Sequence, residues 1–321
     1  MGRDQAWLRK AFGIAVAVAA CAIAARIWSG YPGNPKGETS LTVALTIVVS
    51  AALVRFLGYL RRLWKSGNDR PIAAIRQSFP SAAREFAPIA IGVAVLAAFL
   101  FSISYLKSMI TAIVPFWADA PLAASDRLLF VDPESLAIAL RPALPLFGFF
   151  YGLWHVANLG GILWVLHWRK GDKARYILSF MLTWSIGMFF AYVFSSAGPI
   201  FTGQFDPALA PESVRRPAAI LWANYQAQGA LIGGGISAFP SMHVAIAAWL
   251  ALALKNRGAQ RLGQAYLIGV FACSVILGWH YVLDGVAGIA IAILADRLAK
   301  AWLSRGQIPI AFASQPAAAA N

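Results

Sequence analysis

Residues 278–302 read GWHYVLDGVAGIAIAILADRLAKAW, a polar beginning followed by a long apolar continuation. Such a continuation is long enough to cross the hydrocarbon core of a bilayer, which takes about 17–25 helical residues. Over the whole chain, hydrophobic residues make up 60% and charged residues 12%, whereas a soluble domain is about 25% charged. The sequence therefore predicts an all-α membrane protein.

Several further stretches of this kind predict a polytopic bundle of about eight transmembrane helices, six of them in a catalytic core. The predicted spans are 11–28, 41–60, 87–106, 145–166, 177–196, 239–254, 264–280 and 282–302. With this arrangement, most of the 27 lysines and arginines fall on one side, which predicts that both termini are cytoplasmic. The net charge of +14 thus indicates topology, with anionic lipid headgroups and not nucleic acid as its partner.

The chain divides into three predicted regions. Residues 1–86 form an N-terminal two-span segment with a basic, interfacial cytoplasmic connection over 61–86. Residues 87–305 form a membrane-embedded catalytic domain, and 306–321 form a disordered tail. The basic N-terminus before the first apolar run also fits a cleavable signal peptide, but we favour a retained first span.

One polar cluster marks the start of the predicted sixth span, where AFPSMHVA covers 238–245. Pro240 suits the first turn of a helix, where its missing N–H costs nothing. Free N–H groups at a helix start attract phosphate, Ser241 adds a hydroxyl, and His243 can give or take a proton. A helix cap beside an interfacial histidine is the structural alternative.

A second cluster, HYVLDG, begins the last span at 280–285. His280 and Asp284 are four residues apart, so they would share a helix face. A carboxylate beside an imidazole fixes its tautomer and leaves the far nitrogen available for catalysis. A structural ion pair near the interface is the alternative.

Topology brings the two clusters to the same outer face, at one depth. Two histidines and an aspartate could bind a metal, or could serve as nucleophile, general acid and orienting carboxylate in phosphoryl transfer. The adjacent helix start and Ser241 favour phosphate over a metal, so we expect neither a metal nor another cofactor.

Weaker candidates lie on the same face. Ser196 and Gly198, at the outer end of the fifth span, could line an anion pocket or simply end a helix. Lys107 could contact phosphate or act as a snorkelling anchor. Tyr151, His155 and Asn158 form a polar stripe in the fourth span, for which we favour interhelical hydrogen bonding over a headgroup cavity.

PSMHVA followed by HYVLDGVAG, within 239–290, resembles the second and third motifs of the type 2 phosphatidic acid phosphatase superfamily. The likeness is greatest to its inositolphosphotransferase branch, which includes inositol phosphorylceramide synthases and many bacterial membrane proteins. Weaker similarity extends over 106–119, 125–133 and 195–201.

The resemblance implies a lipid phosphotransferase or phosphatase that acts on a phospholipid or polyprenyl (pyro)phosphate at the outer leaflet. It implies that His280 becomes a phosphohistidine, that Asp284 orients it, that His243 protonates the leaving group and that Ser241 binds phosphate. An alcohol is a possible acceptor. The implied location is the bacterial inner membrane, with the site on the periplasmic face of a multi-pass protein.

The chain departs from the phosphatase pattern at three places. Met242 stands where that branch has glycine, Ser274 stands where it has arginine, and Lys107 is followed by Val114-Pro115 instead of Arg-Pro. Arg127, Arg141 or Arg216 could replace the missing cations. These departures favour the transferase branch, and they keep open a non-catalytic lipid transporter and, less strongly, a metal-dependent hydrolase.

Overall fold

The computed structural model describes residues 6–34, 49, 52–53, 56–67, 70–167, 172–231, 233–255 and 257–304. Regular structure within these ranges is helical. The helices discussed below are α1 (Ala6–Ser29), α2 (Pro71–Ile113), α3 (Asp119–Leu128), α4 (Pro133–Ala139), α5 (Leu144–Gly152), α6 (Trp154–Leu166), α7 (Lys173–Val193), α8 (Glu212–Gln226), α9 (Met242–Lys255), α10 (Gln260–Ile276) and α11 (Val282–Ser304).

Four helical segments of the described chain are long and apolar enough to cross a membrane: Trp7–Ser29, Pro71–Ile113, Arg141–Leu166 and Lys173–Val193. The prediction of an all-α, multi-pass membrane protein is thereby confirmed. The predicted span 41–60 lies largely outside the described residues, and the predicted tail 306–321 lies wholly outside them.

Helix α2 is much longer than the predicted third span, 87–106, because it begins at Pro71 and runs for 43 residues. At about 1.5 Å per residue it is roughly 64 Å long, about twice the thickness of a bilayer core. Residues 71–86 are therefore continuous with the span and do not form a separate interfacial segment. The predicted domain boundary at 86 falls inside this helix, and the division into domains stays a prediction.

The helices of the C-terminal half pack around α9 and α11, with α7 and α10 beside them. Trp249 of α9 is fully buried and contacts Phe180 of α7 edge to face, with ring centroids 5.1 Å apart. The indole N–H of Trp249 donates to the carbonyl of Tyr176 at 2.9 Å, which satisfies its one polar group. This core supports the two segments that carry His243 and His280.

Helix α1 packs against α2 and α7, and two polar contacts join its beginning and the segment after it to the rest of the chain. The ammonium of Lys10 lies 4.4 Å from the ring centre of Trp302, near the end of α11. At the other end, the hydroxyl of Tyr31 donates to the carbonyl of Gly229 at 2.8 Å. The beginning of α1 and the end of α11 therefore lie at the same end of the bundle.

A partly buried ion pair joins α7 to α11 at that end. The Nε of Arg175 lies 2.7 Å from Oδ1 of Asp296, and Nη2 binds Oδ2 of the same carboxylate. This two-point geometry satisfies both carboxylate oxygens, as a charge pair removed from water requires. Asp172 lies further away, 3.8 Å from Nη1.

We predict that Asp296→Ala lowers the unfolding free energy by about 1–3 kcal/mol, because it leaves the partly buried Arg175 guanidinium with only the more distant carboxylate of Asp172. The double variant Arg175→Met, Asp296→Leu should lose much less, since no unpaired charge remains. Thermal unfolding of the purified protein in detergent compares the two. A double variant as unstable as Asp296→Ala would contradict this account.

Candidate active site

Two histidines distant in sequence meet at the end of the bundle opposite Lys10. His243 lies in the first turn of α9, and His280 lies two residues before α11. Their ring centroids are 5.8 Å apart. His280 is buried, with 5% of its surface exposed. The structure thus brings together the two histidines, which the sequence predicted to lie at the same depth in the membrane.

The tautomer of His280 follows from its neighbours. Its Nδ1 lies 2.9 Å from the carbonyl oxygen of Ala238 and 3.4 Å from Oδ2 of Asp284. Both partners can only accept a hydrogen bond, so Nδ1 carries the proton. The neutral ring therefore has its lone pair on Nε2, which is the nitrogen free to act as a nucleophile.

The sequence predicted that Asp284 and His280 share a helix face. They do not, because α11 begins only at Val282. Asp284 is the third residue of the helix, and its Oδ2 accepts the N–H of Tyr281 at 2.9 Å. That contact is the carboxylate half of a capping box. Its Oδ1 is buried and has no hydrogen-bond partner among the described residues.

Ser241 caps α9, which begins at Met242 and not at 239. Its Oγ accepts the N–H of Val244 at 3.4 Å, and its carbonyl accepts that of Ala245 at 2.9 Å. Pro240 therefore precedes the helix and does not occupy its first turn, because the serine supplies the cap. The serine thus occupies the N–H of Val244, which leaves those of Met242 and His243 to an anion, while the contact of Ser241 with phosphate stays a prediction.

The segments of the two motifs touch through their backbones. The N–H of Ser241 donates to the carbonyl of Asp284 at 2.9 Å. A Cβ at Gly288 would lie 2.5 Å from the carbonyl oxygen of Ser241, and one at Gly285 would collide with the ring of Phe271. The two glycines of HYVLDGVAG thus let α11 approach α9 and α10 closely.

Met242 fills space left by another glycine. A Cβ at Gly187 of α7 would collide with the sulfur of Met242. The methionine that replaces the glycine of the phosphatase pattern is therefore accommodated by packing between α7 and α9.

Asp119, which the sequence analysis missed, holds a loop beside His280. Its Oδ1 accepts the N–H groups of Ala197 and Gly198 at 3.1 and 2.8 Å, and its Oδ2 accepts that of Ala197 at 2.8 Å. The hydroxyl of Tyr281 donates to Oδ1 at 3.0 Å. One buried carboxylate thus connects α3, the loop after α7 and the residue that follows His280.

Ser196 and Gly198, predicted to bind phosphate, have protein partners here. The carbonyl and hydroxyl of Ser196 accept the N–H groups of Ala238 and Phe239, each at 2.9 Å. Gly198 has φ +100°, and a Cβ there would lie 2.5 Å from the carbonyl oxygen of Trp279. Both residues support the histidine segments, and their contact with phosphate stays a prediction.

Asp126 supports the same segment from α3. Its Oδ1 accepts the N–H of Val282 at 3.0 Å, while Oδ2 is buried without a partner among the described residues. The signal that could have indicated Asp119 and Asp126 is their position: both are acids, in a chain with only 13, and both lie within segments that resemble the family. Their contacts, 78 to 162 residues away in sequence, were not discernible.

Cations are sparse around the histidines. Lys107 of α2 lies close enough to His243 for their charges to interact, and its ammonium makes no hydrogen bond or ion pair within the described part of the chain. Arg127, Arg141 and Arg216 are exposed. Ser274, at the position of a family arginine, is buried, and its carbonyl accepts the N–H groups of Trp279 and His280.

The polar stripe of the fourth predicted span does not form the interhelical hydrogen bonds that we favoured. The hydroxyl of Tyr151 and Oδ1 of Asn158 are buried and unpartnered among the described residues. Instead, the ring of Tyr151 stacks on the ring of His243. The ring of His155 lies edge to face with that of His243, at 6.3 Å between centroids. Leu153, between α5 and α6, keeps a right-handed helical conformation with φ −60° and ψ −15°, so Tyr151 and His155 approach His243 from successive turns.

Among the described residues, no group of three or more His, Cys, Asp or Glu side chains is placed to hold a metal ion. Residues 120–298 match the family model described as the PAP2 superfamily, and this region contains both histidines, Asp126 and Asp284, while Asp119 lies just before it. No curated protein and no solved structure shows significant similarity to the chain.

Burial raises the pKa of Asp126 to about 6, opposed by the Val282 N–H and reinforced by the charge of Asp284. Between pH 4 and 6 the folded protein therefore holds a proton here that the unfolded chain has released, so this group's contribution to stability falls as the pH rises. We predict that the melting temperature of Asp126→Asn, relative to the parent, increases from pH 4 to pH 7.

The exposed Asp132 gives the control variant Asp132→Asn, measured over the same pH range. A difference between Asp126→Asn and the parent that is independent of pH would contradict the raised pKa of Asp126.

Proposed function

Because the chain belongs to the PAP2 superfamily, and so carries a phosphatase or phosphotransferase domain, we propose that it cleaves a lipid phosphate ester through His280. The substrate is a phospholipid or a polyprenyl phosphate or pyrophosphate. The observation that carries this proposal is the environment of His280, whose Nδ1 faces two acceptors while its ring lies beside His243.

In the first step, Nε2 of His280 attacks phosphorus, and an N–P bond forms as the P–O bond to the leaving group breaks. His243 gives its proton to the departing oxygen. The positive charge that develops on the His280 ring is stabilised through Nδ1–H by the carbonyl of Ala238 and the carboxylate of Asp284. This is the division of roles expected of a nucleophile, a general acid and an orienting carboxylate.

In the second step, water or an alcohol attacks the phosphohistidine. His243, now neutral, takes the proton of the attacking hydroxyl, the new O–P bond forms, and the N–P bond breaks. Both histidines return to their starting states. Water as the acceptor gives a phosphatase, and an alcohol gives a phosphotransferase.

The phosphate needs positive charge, which Lys107 and the first N–H groups of α9, next to the Ser241 cap, can supply. Arg127 lies one residue from Asp126, which binds the segment after His280, so it is the exposed arginine that we propose as a further contact. The absence of the usual arginines at Ser274 and Val114 favours the inositolphosphotransferase-like branch and transfer to an alcohol.

We predict that His280→Ala lowers turnover of lipid phosphates by more than about a thousandfold, the scale on which loss of a nucleophile acts. The parent protein, quenched during turnover of a phosphorus-labelled lipid, should carry label in an acid-labile, base-stable adduct at His280. The His167→Ala variant, at a histidine at the end of α6, is the matched control, and melting temperatures check folding.

The assay uses a panel of lipid phosphates as donors, each with and without inositol, glycerol or ceramide as acceptor. The comparison separates transfer from hydrolysis. Full turnover by His280→Ala would overturn the mechanism. Neither adduct nor product across the panel would favour the alternative, a non-catalytic lipid transporter or binding protein.

We further propose eight spans, cytoplasmic termini and a site on the outer face of a bacterial inner membrane. Two contacts support this orientation: Lys10 meets Trp302 at one end of the bundle, and the histidines lie at the other. Arg175, which pairs with Asp296 of α11, belongs to the Lys10 end, and we propose that the other basic loops lie there too, on the cytoplasmic side.

For this orientation we predict that a membrane-impermeant maleimide labels Gln226→Cys in intact cells but labels Ser66→Cys only after lysis, in a Cys21→Ala background. Both positions are exposed in the structure. The reverse pattern would invert the topology.

A further inference from the structure

We propose that Tyr151 and Trp154 form an aromatic clamp that positions His243 as the proton donor of the reaction. This inference rests on the proposed function. The ring of Tyr151 stacks on the imidazole of His243 at 4.6 Å between centroids and 26° between planes. The ring of Trp154 lies 4.3 Å from the same imidazole at 48°.

Trp154 also fixes the backbone that carries the histidine. Its indole N–H donates to the carbonyl oxygen of His243 at 2.9 Å. The position of His243 is therefore determined twice by Trp154, once through its main chain and once through its ring. Both clamp residues flank Leu153, between α5 and α6.

The two histidines of the site are held in different ways. His280 is held through Nδ1 by two hydrogen-bond acceptors. The ring nitrogens of His243 make no hydrogen bond within the described part of the chain, so ring contacts orient it. Such contacts leave both nitrogens free to exchange protons, which suits a residue that must give a proton in one step and take one in the next.

The clamp also suits the charge of the donor. His243 faces His280, His155 and Lys107, and each of these, when charged, disfavours a second positive charge nearby. The faces of tyrosine and tryptophan rings attract cations. The two aromatic rings thus offset part of that repulsion when the imidazole of His243 is protonated.

The ring of Tyr151, and not its hydroxyl, carries this role. Tyr151 is 6% exposed, and its hydroxyl oxygen is buried without a hydrogen-bond partner among the described residues. Tyr151→Phe keeps the stacked ring, whereas Tyr151→Leu removes it. The pair therefore separates stacking from any direct action of the hydroxyl.

Leaving-group dependence gives the test. Protonation matters when the leaving oxygen is strongly basic, as in dodecyl phosphate, and matters little for p-nitrophenyl phosphate, whose phenolate departs unaided. General acid catalysis contributes about 10²–10⁴-fold, and a misplaced catalytic group can lose about 10²-fold. We expect Tyr151→Leu to lower kcat/KM on dodecyl phosphate by about 10–100-fold and to leave kcat/KM on p-nitrophenyl phosphate nearly unchanged, because kcat/KM reports the steps up to formation of the phosphohistidine and not its breakdown, which both substrates share.

The matched control is Tyr266→Leu, because Tyr266 is another tyrosine with a buried, unpartnered hydroxyl, and it contacts Phe150 of α5 instead of a histidine. Tyr151→Phe should retain most activity on both substrates. Trp154→Phe, which keeps a ring but loses the bond to the His243 carbonyl, should show a smaller loss with the same substrate dependence. If Tyr151→Leu does not fold, Trp154→Phe tests the clamp in its place.

Equal losses on the two substrates in Tyr151→Leu and Trp154→Phe would overturn the clamp, because a general packing defect does not distinguish leaving groups. A Tyr151→Phe variant as impaired as Tyr151→Leu would also overturn it and would assign the role to the hydroxyl. Failure of the proposed function is distinct, since the parent protein would then turn over neither substrate and form no adduct.

Discussion

The hydrogen bond between Nδ1 of His280 and the carbonyl of Ala238 is the contact on which the rest of the site depends. It joins the segment before α9 to the segment before α11, and it determines which nitrogen of His280 is free. The surrounding contacts hold these two segments in register. Ser241 binds the backbone of Asp284, and Ser196 binds the backbone of Ala238 and Phe239.

Three buried carboxylates also hold the segments around His280 in place. Asp119, Asp126 and Asp284 each accept at least one backbone N–H from a segment that flanks His280 or supports it. In an apolar environment such N–H groups would otherwise lack acceptors, and an unsatisfied buried group costs about 1–3 kcal/mol. The acids therefore stabilise the loops that carry and support His280, although they also place negative charge near a proposed phosphate site. Lys107 and the start of α9 offset that charge.

The membrane class, the helical architecture and the approach of His243 to His280 could all be predicted from the sequence, because they depend on hydropathy, charge placement and chain direction. The loop-clamping role of Asp119 could not, since it depends on contacts with residues 78 and 162 positions away. The length of α2 could not be predicted either, because a hydropathy pattern ends where charged residues begin, whereas a helix can continue through them. The pairing of Met242 with Gly187 needs the geometry of α7 against α9.

The shortness of α9 has a consequence for the depth of the site. Its 14 residues correspond to about 21 Å of helix, against about 30 Å for a bilayer core. Because α9 packs inside the bundle against α7, α10 and α11, its first turn can end below the membrane surface without contact with the acyl chains. In the proposed orientation, a lipid would then have to bring its headgroup down between the helices to reach His243, while its acyl chains stay in the leaflet.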